Sequence, residues 1–365
     1  MNLDELRQAI DSVDLEIQRL IEKRADLAQQ VGRVKKADSG GQPVVFYRPD
    51  REAMVLRRVM ERAEGDLPPQ RTAQIFREIM SACLALEEPT QIAFLGPQGT
   101  FTEAAAHKHF GSAGVLNPQT TIRDVFREVE AGSAHYGVVP VENSTEGVVS
   151  HTLDSFIASP LKICGEVEMP IHHNLMGDGQ VELRDITHVY SHQQSLAQCR
   201  QWLDANVPQA ERIAVNSNAE AARMVAQDSR PDGQVWASIG GDVAAKRYEL
   251  DFLARRIEDE PDNSTRFLVI GRVEPGSTGQ DKTSIIVSLS NQPGALYALL
   301  EPFNRRGVDM TRLETRPARM ATWAYVFYID FSGHQHDPEI EGLLSELRDQ
   351  ALELQILGSY PTAVL

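Results

Sequence analysis

The chain has 365 residues, 42% of them hydrophobic, and a formal charge of −16 at neutral pH. That length predicts two or three separate cores, and the acidity repels nucleic acid and anionic membrane surfaces at long range, so no nucleic-acid or membrane partner is expected. The opening residues MNLDELRQAI are acidic and helically patterned, and no later run is long enough to span a bilayer, which predicts a cytoplasmic protein.

Cys83, Cys164 and Cys199 are scattered without metal-type spacing and read as reduced structural thiols, so neither a metal nor a cofactor is expected. Because the overall field disfavours anions, any anionic ligand must meet local basic groups. The placement of single Arg and Lys residues is therefore informative.

From Leu3 to Val34 apolar residues recur at spacings of three and four, the mark of a long amphipathic helix. Such a helix is about 45–50 Å long, more than a small domain covers with its own chain, and a second subunit is its natural cover. Arg24 interrupts the apolar stripe, and Arg7 and Lys35 flank it. A guanidinium there is costly unless an anion pairs with it, although an internal salt bridge or a snorkelling side chain also accounts for it. A Gly/Ser/Pro loop leads to a second helix near Pro49, with Arg48, Arg51 and Glu52 at its start and Val55, Leu56, Val59 and Met60 inside. A third helix carries Phe76, Met80 and Cys83 on its stripe, extending to Glu87.

After Pro89 short apolar runs alternate with helical patterns, which predicts an α/β region with ligand sites at strand ends. GPQGTFTEAA resembles a phosphate loop but lacks the lysine after its second glycine, so ATP is not indicated. A helix N-terminus there suits a carboxylate as well. DNSTRF, residues 262–267, places four hydrogen-bonding groups before a strand, more than a turn requires. VEPGSTGQD, residues 273–281, has linker composition, and beyond it the pattern reads βαββαβ.

The phrases GPQGTFTEAA, VPVENSTEG, SHQQSLAQC, DNSTRF, NQPGAL and LETRP occur in the order seen in the bifunctional P-protein family, and the whole chain resembles that family. Its members fuse a chorismate mutase to a prephenate dehydratase with an ACT regulatory domain. The resemblance implies a multidomain chain. An all-α intertwined mutase dimer would cover residues 1–88, and a two-lobed α/β dehydratase like periplasmic binding proteins residues 90–273. An α+β ferredoxin-like ACT domain would cover residues 281–361.

The resemblance also implies roles. In the mutase, Arg7 from the partner chain, Arg24 and Arg51 grip the carboxylates of chorismate, Lys35 donates to its ether oxygen, and Glu52 holds its ring hydroxyl. Arg48 stands where relatives often have Asp, Glu87 where many have Gln, and Cys83 near the substrate. A carboxylate facing a developing oxyanion repels it, so Glu87 contributes only when protonated. In the dehydratase, Thr265 is the essential hydroxyl and Arg266 binds a carboxylate of prephenate. Glu142, Asn143, Ser144, Thr145, Ser191, His192 and Gln198 complete a dry, cation-lined pocket, with helix capping as the alternative role of His192. Phenylalanine, the effector, binds across a subunit interface to Gly294, Ala295, Leu296, Glu314, Thr315 and Arg316. A non-catalytic amino-acid sensor could share this cleft and tail, but it would need neither Thr265 nor the basic helical module.

Overall fold

The structure, a computed structural model, describes residues 1–40, 44–179, 181–317 and 325–365. Helix α1 (Leu3–Asp38) starts at a reciprocal cap in which Asn2 Oδ1 accepts from Glu5 N–H and the Glu5 carboxylate accepts from Asn2 N–H. Lys35 and Lys36 sit in its last turn, where cations complement the helix dipole. Within one chain the apolar stripe stays uncovered. Leu3, Leu6, Ile10, Val13, Ile17 and Leu20 are 45% to 61% exposed, and only Gly32 of the helix is buried.

Helices α2 (Pro49–Glu61) and α3 (Pro69–Ala85) pack on one another and on the following domain. Leu56 is fully buried, worth roughly 1.5–3 kcal/mol. The inner face of α3 differs from expectation: Phe76 is 38% exposed, whereas Ala73, Arg77, Ser81 and Cys83 are buried. Arg77 turns inward because Glu52 pairs with it at 3.3 Å and the Lys108 carbonyl accepts from it at 2.5 Å.

The next region has two lobes. In the first, β1 (Gln91–Leu95), α4 (Phe101–Phe110), β2 (Val115–Gln119), α5 (Ile122–Ala131), β3 (Tyr136–Asn143), the short β4 (Gly147–Val148), α6 (Ser150–Ala158) and β5 (Lys162–Pro170) follow in sequence. The chain then crosses to a second lobe made of β6 (Asn174–Gly177), β7 (His188–His192), α7 (Gln193–Gln198), α8 (Arg200–Asn206), β8 (Glu211–Val215), α9 (Asn218–Gln227), β9 (Trp236–Gly240), α10 (Asp242–Tyr248) and β10 (Asp251–Ala254). It returns as β11 (Ser264–Gly271), which lies antiparallel between β3 and β5, so the first sheet runs β2-β1-β3-β11-β5. DNSTRF thus ends the second crossing between lobes and opens β11.

The C-terminal part is β12 (Asp281–Leu289), α11 (Ala295–Arg306), β13 (Met310–Pro317), β14 (Tyr325–Ser332), α12 (Pro338–Gln350) and β15 (Glu353–Pro361), in an antiparallel sheet ordered β13-β14-β12-β15. The first residues of the expected third strand, 322–324, lie outside the described residues. One face packs on α11 and α12 through Ile285, Val287, Phe327, Ile329 and Phe331. The other joins the first lobe's core, where Ile286, Tyr328, Leu357 and Tyr360 meet Val139, Leu268 and Ile270. A Cβ at Gly358 would collide with the Ile163 backbone, so glycine there lets β15 approach β5. The expected linker is an ordered loop. Asp281 accepts from the N–H of Thr278 and Gly279, and Arg57 of α2 reaches Thr278 Oγ1 and the carbonyls of Gln280 and Thr362.

Candidate active sites

A cleft of about 550 Å³ opens between the two lobes, a size suited to a small organic acid. Strand alternation decides which side chains enter it. Thr265 faces the cleft at 9% exposure, and its Oγ1 accepts from Asn143 Nδ2 at 2.8 Å. Asn143 is held in turn, because its Oδ1 accepts from the N–H of Thr145 and Glu146 and its Nδ2 donates to Asn263 Oδ1 at 2.9 Å. Ser144 ties the end of β3 to the second crossing, its Oγ accepting from Ser264 N–H. From the second lobe, Gln198 Oε1 accepts from Asn263 Nδ2, and Gln198 Nε2 donates to Glu146, joining the lobes across the mouth. Ser191 is fully buried, one layer back from the cleft, where its Oγ donates to Asn218 Oδ1. His192 both caps α7, accepting from Gln194 N–H, and lines the cleft.

Of the other expected residues, Ser144 and Thr145 do not line the cleft, and two more point away from it altogether. Arg266 follows Thr265 in an extended strand and therefore points away from the cleft, to Glu166 at 2.8 Å, Asp330 at 2.5 Å and the Tyr360 hydroxyl at 2.9 Å. Glu142 precedes Asn143 and points the same way, to Arg312 at 3.2 Å. Neither lines the cleft, and neither do any Lys or Arg among the described residues. The expectation of a cation-lined pocket is thus corrected. Instead, the first residues of α4, α6 and α9 converge on it: Thr100 and Phe101, Ser150 and His151, Ser217 and Asn218. Unsatisfied N–H groups and helix dipoles attract carboxylates without a formal charge.

Four of the unexpected cleft residues hydrogen-bond to expected ones through their side chains. Glu146 and Asn263 sit inside the phrases VPVENSTEG and DNSTRF, so the signal lay in plain view. Asn218 has the local signature of a helix start. His173 has no such signal: it is 2% exposed on the first crossing, and its Nε2 meets Gln198 Oε1 at 2.8 Å. Burial pushes its pKa down, and Nδ1 is buried without a partner among the described residues. With Gln198 Nε2 committed to Glu146, His173 Nε2 is the donor and Nδ1 a bare acceptor.

The helical module assembles a second group. Glu87 packs on α1 at Gly32, where an added Cβ would lie 3.1 Å from its Cγ and Oε2. Its Oε2 is buried without a partner among the described residues, and burial pushes its pKa up against the pull of Lys35, Lys36 and Arg24. Lys35 Nζ donates to the Phe46 carbonyl at 3.1 Å. Arg24 and Lys35, eleven positions apart, share a face of α1. Arg7 is about 25 Å from Arg24 along the same helix, so one chain cannot bring them together.

Arg48 is bound by Asp50 at 2.8 Å, and Arg51 is exposed. Glu52 faces the first lobe rather than α1, beside Arg77, Lys108 and His109, and burial pushes its pKa up to about 7 despite Arg77. It sits on the buried side of α2 next to Ala53 and Leu56, which explains the departure from its expected role. Cys83 is buried and free.

In the C-terminal sheet, Gly294 adopts a left-handed conformation, φ 85°, before α11, and Leu296 is 40% exposed. Along β13, Arg312 and Arg316 reach the first lobe, Arg316 pairing with Asp154 at 3.6 Å, and alternation puts Glu314 on that side. Thr315 alone of the expected LETRP contacts takes the opposite side, with its Cα partner Phe327 in the helix-side core. Glu314 and Arg316 are therefore corrected from effector contacts to interdomain ones.

Fold and sites together define an enzyme with an all-helical, cation-bearing module ahead of a two-lobed α/β cleft. Residues 6–88 match the type II chorismate mutase family and residues 92–275 the prephenate dehydratase family. The bifunctional chorismate mutase/prephenate dehydratase of Pseudomonas aeruginosa is 54% identical over 100% of this chain and 98% of its own, and that of Aquifex aeolicus 43% identical over 100% and 99%. A crystal structure of prephenate dehydratase from Arthrobacter aurescens in complex with L-Phe is 38% identical, with a TM-score of 0.68 over 74% of this chain and 89% of that one. The chain belongs to the bifunctional chorismate mutase/prephenate dehydratase family.

Proposed function

We infer that the chain rearranges chorismate to prephenate on its helical module and converts prephenate to phenylpyruvate in the cleft, with phenylalanine as feedback inhibitor. The observation that carries the second activity is the Thr265–Asn143 pair between two lobes. In the dehydratase step, prephenate dianion plus a proton yields phenylpyruvate, carbon dioxide and water, and aromatisation supplies the driving force. Because Thr265 Oγ1 accepts from Asn143, its own O–H is free to donate to the departing hydroxyl. An alcohol is a weak acid, so this contact orients the leaving group. The pyruvyl carboxylate suits the helix N-termini. The ring carboxylate leaves as neutral carbon dioxide, which the apolar walls of Phe101, Ile171 and Phe267 favour over the charged form. Supplying prephenate and reading phenylpyruvate absorbance in alkali tests this directly, and no product would refute it.

In the mutase step no covalent intermediate is needed. Basic groups hold a compact conformer of a dicarboxylate and stabilise charge at the ether oxygen. Lys35 is the donor and protonated Glu87 the second one. Mutase activity is then expected to fall as pH rises through the raised Glu87 pKa, because ionisation removes the donor and adds repulsion. Glu87→Gln should flatten that limb of the kcat/KM profile, and an unchanged limb would discard the role.

The uncovered α1 stripe supports an intertwined dimer in which Arg7 comes from the other subunit. Ile17→Asp is expected to shift the protein to monomer in sedimentation velocity and to abolish mutase activity. The two lobes, crossed twice by the chain, support a binding-protein-like hinge. The βαββαβ order supports an ACT-type, ferredoxin-like sheet that binds phenylalanine near Gly294–Leu296 and Thr315.

A further inference from the structure

The immediate neighbours of the two central cleft residues point out of the back of the cleft. Thr265 and Asn143 are Cα partners across β11 and β3, and the adjoining pair is Arg266 with Glu142. The C-terminal sheet presents a matching pair: Arg312 on β13 is the Cα partner of Asp330 on β14. The two pairs meet with opposite charges. Arg266 Nη1 is 2.5 Å from Asp330 Oδ2, and Arg312 Nε is 3.2 Å from Glu142 Oε2. Three of the four corners are nearly sealed from water, with side chains of Arg266, Asp330 and Arg312 at 11%, 8% and 11% exposure.

The corners differ in firmness. Asp330 also accepts from Ser284 Oγ, and Arg266 also reaches Glu166 and Tyr360, so that side of the square is fixed from several directions. Arg312 holds Glu142 through one nitrogen, and its Nη2 is buried without a partner among the described residues. A shift of β13 therefore changes the Arg312–Glu142 contact first. Beyond Arg312, β13 runs on to Thr315, on the side of the sheet that carries α11.

We propose that Asp330 and Arg312 are positioning residues for the cleft chemistry. Acting through Arg266 and Glu142, they set how Thr265 and Asn143 face each other, and they carry the state of the C-terminal sheet to that pair. The inference rests on the cleft being the dehydratase site. Adjacent residues of a paired strand move together, and a misplacement of about 1 Å at a reacting group costs roughly a hundredfold in rate. The square thus has leverage on turnover without touching substrate.

The test uses the full chain with Arg312→Met, Arg312→Lys and Asp330→Asn. Arg266 keeps Glu166 in the last variant, so no bare guanidinium is left behind. Dehydratase kcat and KM, mutase kcat, melting temperature, L-Phe binding by calorimetry and L-Phe inhibition are measured on each. Arg312→Met and Asp330→Asn are expected to lower dehydratase kcat about ten- to a hundredfold with KM within about twofold. Mutase activity should be unchanged, and Arg312→Lys should recover part of the loss. L-Phe should still bind while inhibiting the residual activity less. Dehydratase kcat within about twofold of the parent in both variants overturns the proposal. So does a parallel fall of both activities and of melting temperature, since the square would then only hold the fold together. A parent that makes no phenylpyruvate overturns the dehydratase reading itself, an outcome distinct from active parent and active variants.

Discussion

Thr265→Ala is expected to lower dehydratase turnover by about 10²–10⁴-fold while leaving the mutase rate of the same chain untouched. The oxygen of Thr265 is already supplied with a donor, Asn143 Nδ2, so its proton is directed to whatever occupies the pocket. Removing it takes away the group that orients the departing hydroxyl, while Asn143 Nδ2 still reaches Asn263 Oδ1 and the Ser264 carbonyl. KM should change little, because the carboxylates are bound at the helix N-termini rather than at Thr265. Thr265→Ser retains the hydroxyl and should retain most of the rate. The readout is phenylpyruvate absorbance in alkali beside chorismate consumption. A Thr265→Ala enzyme within roughly tenfold of its parent would remove this hydroxyl from the chemistry.

The fold was legible wherever one periodicity ran unbroken. The spacing along α1, the alternation after Pro89 and the βαββαβ ending predicted the observed elements. The direction of single side chains was less legible. Arg266 and Glu142 sit inside phrases that mark the cleft, yet one step along an extended strand reverses a side chain, and the phrase does not say which step is inward. Arg316 and Glu314 were misdirected for the same reason. Glu52 and Phe76 failed differently, because the faces of α2 and α3 were chosen by what packs on them: the first lobe, through Arg77, Lys108 and His109. His173 was invisible because its role depends on Gln198, 25 positions away, and on burial that no local pattern encodes.

Lys35→Ala is expected to lower mutase kcat/KM by about 10²–10³-fold, the usual loss when one donor to a developing oxyanion is removed. The dehydratase rate should stay at the parent value, since Lys35 lies in the helical module, where it donates to the Phe46 carbonyl and faces the Phe46 ring. Arg7→Ala should be as damaging, although Arg7 lies about 25 Å from Arg24 along α1 and is exposed beside Asp4. The two losses can be made to complement. In a two-fold dimer whose sites take Arg7 from one chain and Lys35 from the other, a mixed dimer of the two variants has one intact site and one doubly damaged site. Unfolding and refolding the two inactive proteins together should therefore restore about a quarter of the parent mutase activity, half of the dimers being mixed and half of their sites intact. Refolding each alone should restore none. If the mixture stays inactive while its dehydratase recovers, Arg7 and Lys35 do not meet at one site from opposite chains, and the long uncovered stripe of α1 has some other use.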